Sequence, residues 1–165
     1  MQVIGLAGWS GAGKTTLLRR LIPVLTGQGL RVSTLKHAHH AFDIDQPGKD
    51  SWEHRQAGAT EVLIGSANRW ALMHELRGAR EPGLPELLQR LSPVDLVLVE
   101  GFKRGPHPKI EVHREANGKP FLHPEDGTVV AIATDARDVF PIPRVHIDDV
   151  AAIAGLVQAH AMALP

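Results

Sequence analysis

Gly8-Trp9-Ser10-Gly11-Ala12-Gly13-Lys14-Thr15, followed by Thr16, fits G-x-x-x-x-G-K-[ST], the spacing of a loop that wraps phosphate. Its glycines let the backbone curl so that several N–H groups point at β- and γ-phosphate oxygens. Lys14 adds a point charge between those phosphates, and the Thr15 hydroxyl suits the shell of a bound Mg²⁺. The expected nucleotide contacts are Gly8, Ser10, Gly11, Ala12, Gly13, Lys14, Thr15 and Thr16.

Phosphate binding alone hydrolyses nothing. A Mg²⁺ held there calls for an acid at the end of a buried strand, and Glu100 takes that place, after Leu96-Val97-Leu98-Val99 and before Gly101. It suits holding the metal through water or orienting an attacking water, so Thr15 and Glu100 are the expected metal residues and Glu100 a catalytic candidate. The plainer reading, a solvated strand-end acid, is costly after so apolar a run unless the acid is paired. Asp45-Gln46-Pro47-Gly48 spells D-x-x-G, a γ-phosphate sensor pattern in many GTPases. That makes Asp45 the second catalytic candidate, with Asp43 as a further Mg²⁺ neighbour; an ordinary turn fits equally well. Base identity belongs at Ala133-Thr134-Asp135. A carboxylate there can accept both N1–H and N2–H₂ of guanine, a donor pair adenine lacks; a capping Asp is the alternative.

Two further clusters carry chemistry. His37, His39 and His40 follow Lys36, and in an extended segment His37 and His39 point to one side, as a metal pair would, with His54 as a third ligand. Without cysteine nearby, an anion- or partner-binding surface with Lys36, Lys49 and Arg55 fits the same residues, and so does a solvated loop. Lys103 and Arg104, just past Glu100, suit a second anionic ligand or are ordinary loop charges. His107, His113 and His123 read as scattered surface or strand residues.

The elements that must position these groups alternate along the chain. Residues 3–7 read as a short buried strand, and Leu17, Leu18, Leu21, Ile22 and Leu25 then recur at helical spacing. That helix aims its N-terminus at phosphate, carries Pro23 with an expected kink, and stops at Gly27-Gln28-Gly29. Strands are expected over 31–36, 60–64, 70–76, 95–101, 110–113 and 129–133. Short helices are expected over 50–57, closed by Gly58, and over 83–91; a last helix is capped by Asp148 or Asp149. The fold class is α/β: a P-loop NTPase-like, mainly parallel central sheet with helices on both faces and some antiparallel strands in the middle of the chain. Ligand then sits at the carboxyl ends of the strands.

With 165 residues the chain has the length of a single domain. Its 18 basic and 18 acidic residues cancel, which leaves no global field for nucleic acid or an anionic membrane. The absence of cysteine removes disulfides, thiolate metal sites and cysteine nucleophiles together. No apolar run approaches the length of a membrane span, and residue 1 leads straight into a strand without a signal-like segment, so a cytoplasmic protein is expected.

Taken together the segments resemble the MobB family of molybdopterin-guanine dinucleotide biosynthesis. The resemblance rests on residues 8–16, on the block from Lys36 to Asp45, on Pro47-Gly48-Lys49-Asp50-Ser51 with His54-Arg55 and Ala57-Gly58-Ala59, and on Val99-Glu100-Gly101-Phe102-Lys103 and Pro108-Lys109-Ile110-Glu111-Val112. It covers nearly the whole chain; Trp9 and Trp52 are minor departures. The resemblance implies a GTP- and Mg²⁺-binding adaptor, usually a homodimer, with weak GTPase activity at most. Its implied partner is the guanylyltransferase that attaches GMP to molybdopterin. Two other readings of the residues stay open: a small-molecule P-loop kinase with Arg77 and Arg80 on a lid, and a metallochaperone GTPase using the histidine block. The segment 60–76 is the expected place for a dimer contact.

Overall fold

Six short apolar runs build one parallel sheet in the computed structural model, which describes residues 1–38 and 42–164. The chain forms two units, Met1–His37 with Leu84–Pro165, and Ala38–Gly83. In the first unit β1 (Gln2–Ala7) leads into α1 (Lys14–Gly27) and β2 (Val32–Lys36). In the second, α2 (Asp50–Gln56) precedes β3 (Glu61–Gly65) and β4 (Trp70–His74). The first unit then resumes with α3 (Leu84–Leu88), β5 (Leu96–Glu100), β6 (Lys109–His113), β7 (Val129–Thr134), β8 (Arg144–His146) and α4 (Val150–His160).

The sheet order is β2-β5-β1-β6-β7-β8, and every neighbouring pair is parallel. Strand order reverses between β1 and β6, which puts the ligand crevice outside the carboxyl ends of those two strands. The antiparallel strands expected in the middle of the chain are β3 and β4, and they pair only with each other. The fold class is the expected α/β, P-loop NTPase-like arrangement.

The two faces of the large sheet are covered differently. On one, Ile4, Leu6, Leu98, Ile110 and Val112 pack with Leu17, Leu21 and Leu25 of α1 and Ile153 and Val157 of α4. On the other, Val3, Val97, Val99 and Leu35 pack with Leu84 and Leu88 of α3. The register Gly5↔Lys109 and Ala7↔Glu111 puts Lys109 and Glu111 on this second face too. Helix α1 runs unbroken through Pro23, although proline withholds one ladder hydrogen bond. Asp149, not Asp148, caps α4: its side chain accepts from the Ala152 N–H at 3.0 Å. Among the described residues no helix is long and apolar enough to cross a membrane.

Candidate functional site

The phosphate loop follows β1 directly, and its shape is set by glycine. Gly8 (φ 149°) lies so close to β6 that a Cβ would stand 2.3 Å from the Val112 carbonyl oxygen. Gly13 (φ 92°) turns the chain into α1 as its left-handed N-cap. No side chain caps that turn, and no acid lies in the first turn of α1. The unpaired N–H groups and the positive end of the helix dipole therefore face the loop, the arrangement that favours an anion.

Lys14 reaches back over this loop. Its Nζ donates to the carbonyls of Gly8 at 2.9 Å and Trp9 at 3.0 Å. Burial holds its ammonium below the ordinary lysine value; Glu100 pulls it back up, while Lys103 and Lys36 push it further down. Three ammonium groups thus share one neighbourhood beside a helix N-terminus, where an anion relieves their repulsion. Across the loop, Thr15 Oγ1 donates to Glu100 Oε1 at 3.4 Å. A hydroxyl and a carboxylate facing each other are hard oxygen donors of the kind Mg²⁺ takes alongside phosphate and water. The structure therefore brings together Lys14, Thr15 and Glu100 from the ends of the neighbouring strands β1 and β5, as the residue pattern implies.

The segment after β6 braces the loop from the other side. Trp9 Nε1 donates to the Pro120 carbonyl at 2.8 Å, and Asn117 Nδ2 donates to the Ser10 carbonyl at 3.0 Å. Trp9, a minor departure by sequence, is a strut here, with Lys103 Nζ 5.1 Å from its ring centroid. Arg114 passes beside Gly13, with Nε 3.7 Å from where a Cβ would sit. It lies 3.5 Å from Asp135 Oδ2 and 3.8 Å from Asp148 Oδ1. Asp135 Oδ1 also accepts the Glu115 N–H at 2.8 Å, and that bond leads the interactions that hold its carboxyl below the usual carboxylate range. Asp135 therefore stands at the carboxyl end of β7, already bonded to the loop that follows β6. A lone arginine after a strand carries no sequence signal, so only the fold brings Arg114 to the loop.

Asp45 belongs to a different structure. Within the second unit its Oδ1 accepts from Ser51 Oγ at 2.8 Å and the Gln46 N–H at 3.0 Å, and its Oδ2 accepts from Arg55 Nε at 3.1 Å. Burial raises its pKa, but the Ser51, Gln46 and Arg55 bonds outweigh that and hold it low. Arg55 also binds Asp43 at 2.7 Å and Glu75 at 2.9 Å. Asp45, the acid of the D-x-x-G pattern, and Asp43 are thus both engaged by an arginine hub, and the side chain of Asp45 is only 5% exposed. Arg77, expected on a lid, donates to the carbonyls of Arg55 and Ala59 in the same unit. His39 and His40 lie outside the described residues. Among the described residues no three His, Cys, Asp or Glu side chains are grouped to hold a metal.

Of His107, His113 and His123, expected as scattered surface or strand residues, His113 does lie on a strand, β6, but none of the three is an exposed surface side chain. His107 and His113 are buried, and so are Lys109 and Glu111 beside them; the His123 side chain is 11% exposed. Each inward side chain of β6 holds a covering segment. Lys109 Nζ donates to the Gly105 carbonyl at 2.7 Å and to Thr128 Oγ1, and lies 3.4 Å from Asp126. Glu111 accepts the N–H groups of Leu122 at 2.6 Å and His123 at 3.0 Å. His113 Nε2 bonds the Lys119 carbonyl at 2.9 Å, and its ring stacks on Phe121.

Known proteins resemble this chain in sequence and in fold. The profile of a family described as MobB, molybdopterin guanine dinucleotide synthesis protein B, matches residues 3–135. The chain is 42% identical over 160 residues to the molybdopterin-guanine dinucleotide biosynthesis adapter protein of Escherichia coli (strain K12), covering 95% of this chain and 91% of that one. It is 46% identical over 138 residues to the adapter protein of the same description from Haemophilus influenzae, covering 82% and 75%. Among solved structures, a crystal structure of molybdopterin-guanine biosynthesis protein B superposes with a TM-score of 0.74 at 28% identity, covering 95% of this chain and 98% of that one. The crystal structure of Bacillus subtilis MobB gives a TM-score of 0.74 at 27% identity, covering 99% and 100%.

Proposed function

The chain belongs to the MobB family, and from that premise we propose that it is an adapter of molybdopterin-guanine dinucleotide biosynthesis that holds GTP and Mg²⁺ on its phosphate loop. One observation carries the nucleotide half of this reading: Lys14 is folded onto the carbonyls of a glycine-shaped loop beside an uncapped helix N-terminus, with Glu100 facing Thr15. Thr15 would hold the metal directly and Glu100 through water; the bound ion would neutralise charge on the β- and γ-phosphates. Asp135 is the base-side carboxylate of this reading, accepting guanine N–H groups on the lone pairs that Glu115 and Arg114 leave on its two oxygens.

The partner is the guanylyltransferase that joins GMP to molybdopterin. Hydrolysis by the chain alone is slow, because Arg114, the arginine that passes beside Gly13, is tethered to two carboxylates. Intrinsic GTPases without a freely placed arginine turn over at about 10⁻⁴ to 10⁻³ s⁻¹. The test is a coupled assay of guanylyltransferase, molybdopterin and GTP. Adding this protein raises the yield of dinucleotide and adding Lys14→Ala does not; equal stimulation by both refutes the reading.

The protein acts as a homodimer through the β3–β4 hairpin. Val62 and Met73 of that hairpin are buried, while Leu63, its cross-strand partner Leu72, and Trp70 on the same side are 66%, 43% and 64% exposed. A two-stranded sheet is marginal alone, and an apolar side of this kind calls for cover. Leu63→Lys with Leu72→Lys converts the dimer to monomer in light scattering; a monomeric parent protein contradicts the assignment.

A further inference from the structure

We propose that the molecule has a second ligand pocket beside the phosphate loop, which takes a small phosphate ester of a flat, N–H-bearing heterocycle. The proposal rests on the adapter reading and names the class of its second ligand. An open pocket of about 500 Å³ lies on the second face of the large sheet. Its floor is Ala7, the residue before Gly8; one wall is the turn from Lys103 to Pro106, and the other is Leu122 with Glu125 to Thr128. That volume is in the range of small-molecule sites.

The walls are held by a lysine and a glutamate buried on a central strand. Lys109, 1% exposed, ties the Gly105 carbonyl on one wall to Thr128 and Asp126 on the other. Glu111, 0% exposed, fixes the Leu122 backbone. Covering a sheet face needs only apolar side chains, as α3 demonstrates on the neighbouring strands; buried polar anchors cost desolvation and return a fixed geometry. The turn they hold is itself strained. Phe102 has φ 48°, and the Gly105 N–H closes onto its carbonyl at 2.8 Å. This turn presents Lys103 and Arg104 to the pocket, and among the described residues neither is ion-paired with a carboxylate.

The lining chemistry selects the ligand. Lys103 and Arg104 match a phosphate, which a guanidinium binds in bidentate fashion. Leu122 and Pro106 supply apolar contact for a flat ring. Asp126 is committed to Thr128 and Lys109, so Glu125 is the acceptor for ring N–H groups. Lys103 also stands over Trp9, so this pocket and the phosphate loop share a wall, and the two ligands bind side by side.

The test uses the full-length protein saturated with a non-hydrolysable GTP analogue and Mg²⁺, titrated calorimetrically with a pterin bearing one phosphate ester. One pterin ester binds per chain. Arg104→Glu weakens it at least ten-fold, while Arg137→Glu, an exposed cation outside the lining, and the affinity of Arg104→Glu for the GTP analogue change less than two-fold. No heat on titration of the saturated protein, displacement of the GTP analogue by the pterin ester, or equal affinity in Arg104→Glu overturns the proposal. If the pterin ester binds in an Arg104-dependent way but the GTP analogue does not bind, the nucleotide reading fails and the second pocket stands.

Discussion

Glu111 carries a burden that its exposed-looking sequence position conceals. Its carboxylate is fully buried and accepts two backbone N–H groups, from Leu122 at 2.6 Å and His123 at 3.0 Å. Glu111→Ala leaves both donors buried without acceptors, each at a cost of about 1–3 kcal/mol. Removing a buried charge returns part of that, which leaves a net loss of about 2–4 kcal/mol. Glu111→Gln keeps the shape and one carbonyl acceptor, so it should lose about half as much. Urea unfolding followed by circular dichroism reads both numbers. Hydrogen exchange supplies the local check, since the Leu122 and His123 amides should exchange at least about ten-fold faster in Glu111→Ala. A loss below about 0.5 kcal/mol for the alanine variant, with those amides still protected, would refute the view that β6 anchors its covering segments through this side chain.

His107 should make stability fall on mild acidification. Burial, with Lys109 adding repulsion and Asp126 opposing it, lowers its pKa from 6.5 to about 4. The unfolded chain therefore binds a proton that the folded one refuses, and stability drops as pH falls from 6.5 toward 4, by about 3 kcal/mol over the full window. Urea midpoints at pH 7 and pH 4.5 should converge in His107→Gln relative to the parent; an unchanged difference counts against it. Arg55→Ala should loosen the second unit, because Asp45 is left buried without its cation; proteolysis within residues 42–83 should then run at least about ten-fold faster. Asp43 and Asp45 have depressed pKa values, so their stabilisation is present above the ordinary carboxylate value of 3.8 and is lost as pH falls below it. Parent and Arg55→Ala should accordingly draw together in protease sensitivity as pH falls further below 3.8, and a gap that does not narrow would contradict that. Gly8→Ala should abolish nucleotide binding, since a Cβ would stand 2.3 Å from a backbone oxygen with no side chain to yield; retained affinity within two-fold would show the loop to be adjustable.

The parts legible in sequence were those whose physics is local. The phosphate loop declares itself by glycine spacing and a following helical period, and Leu96 to Glu100 by an apolar run that only a doubly covered strand tolerates. The polar row of β6 was illegible for an equally physical reason. Lys109-Ile110-Glu111-Val112-His113 alternates polar and apolar, the pattern of a strand with one solvated face. Here the polar face is sealed by the segments 101–108 and 114–128, and only tertiary structure supplies them. Strand β8, three residues just past Pro141 and Pro143, is too short for any period to register. Asp45 matched a four-residue pattern that says nothing of partners; Ser51, Arg55 and the backbone around them decide its role. Arg114 gained its place from the sheet order, which sets the end of β6 against the turn after β1.

The central claim is that the loop from Gly8 to Thr16 holds a guanine nucleotide for another enzyme. Calorimetric titration of GTP and ATP, each with Mg²⁺, into the parent and into Lys14→Ala tests it most directly. GTP should bind at least about ten-fold more tightly than ATP, a difference of about 1.4 kcal/mol, and Lys14→Ala should lose binding of both. Equal affinity for the two nucleotides, or undiminished binding by Lys14→Ala, would contradict the account.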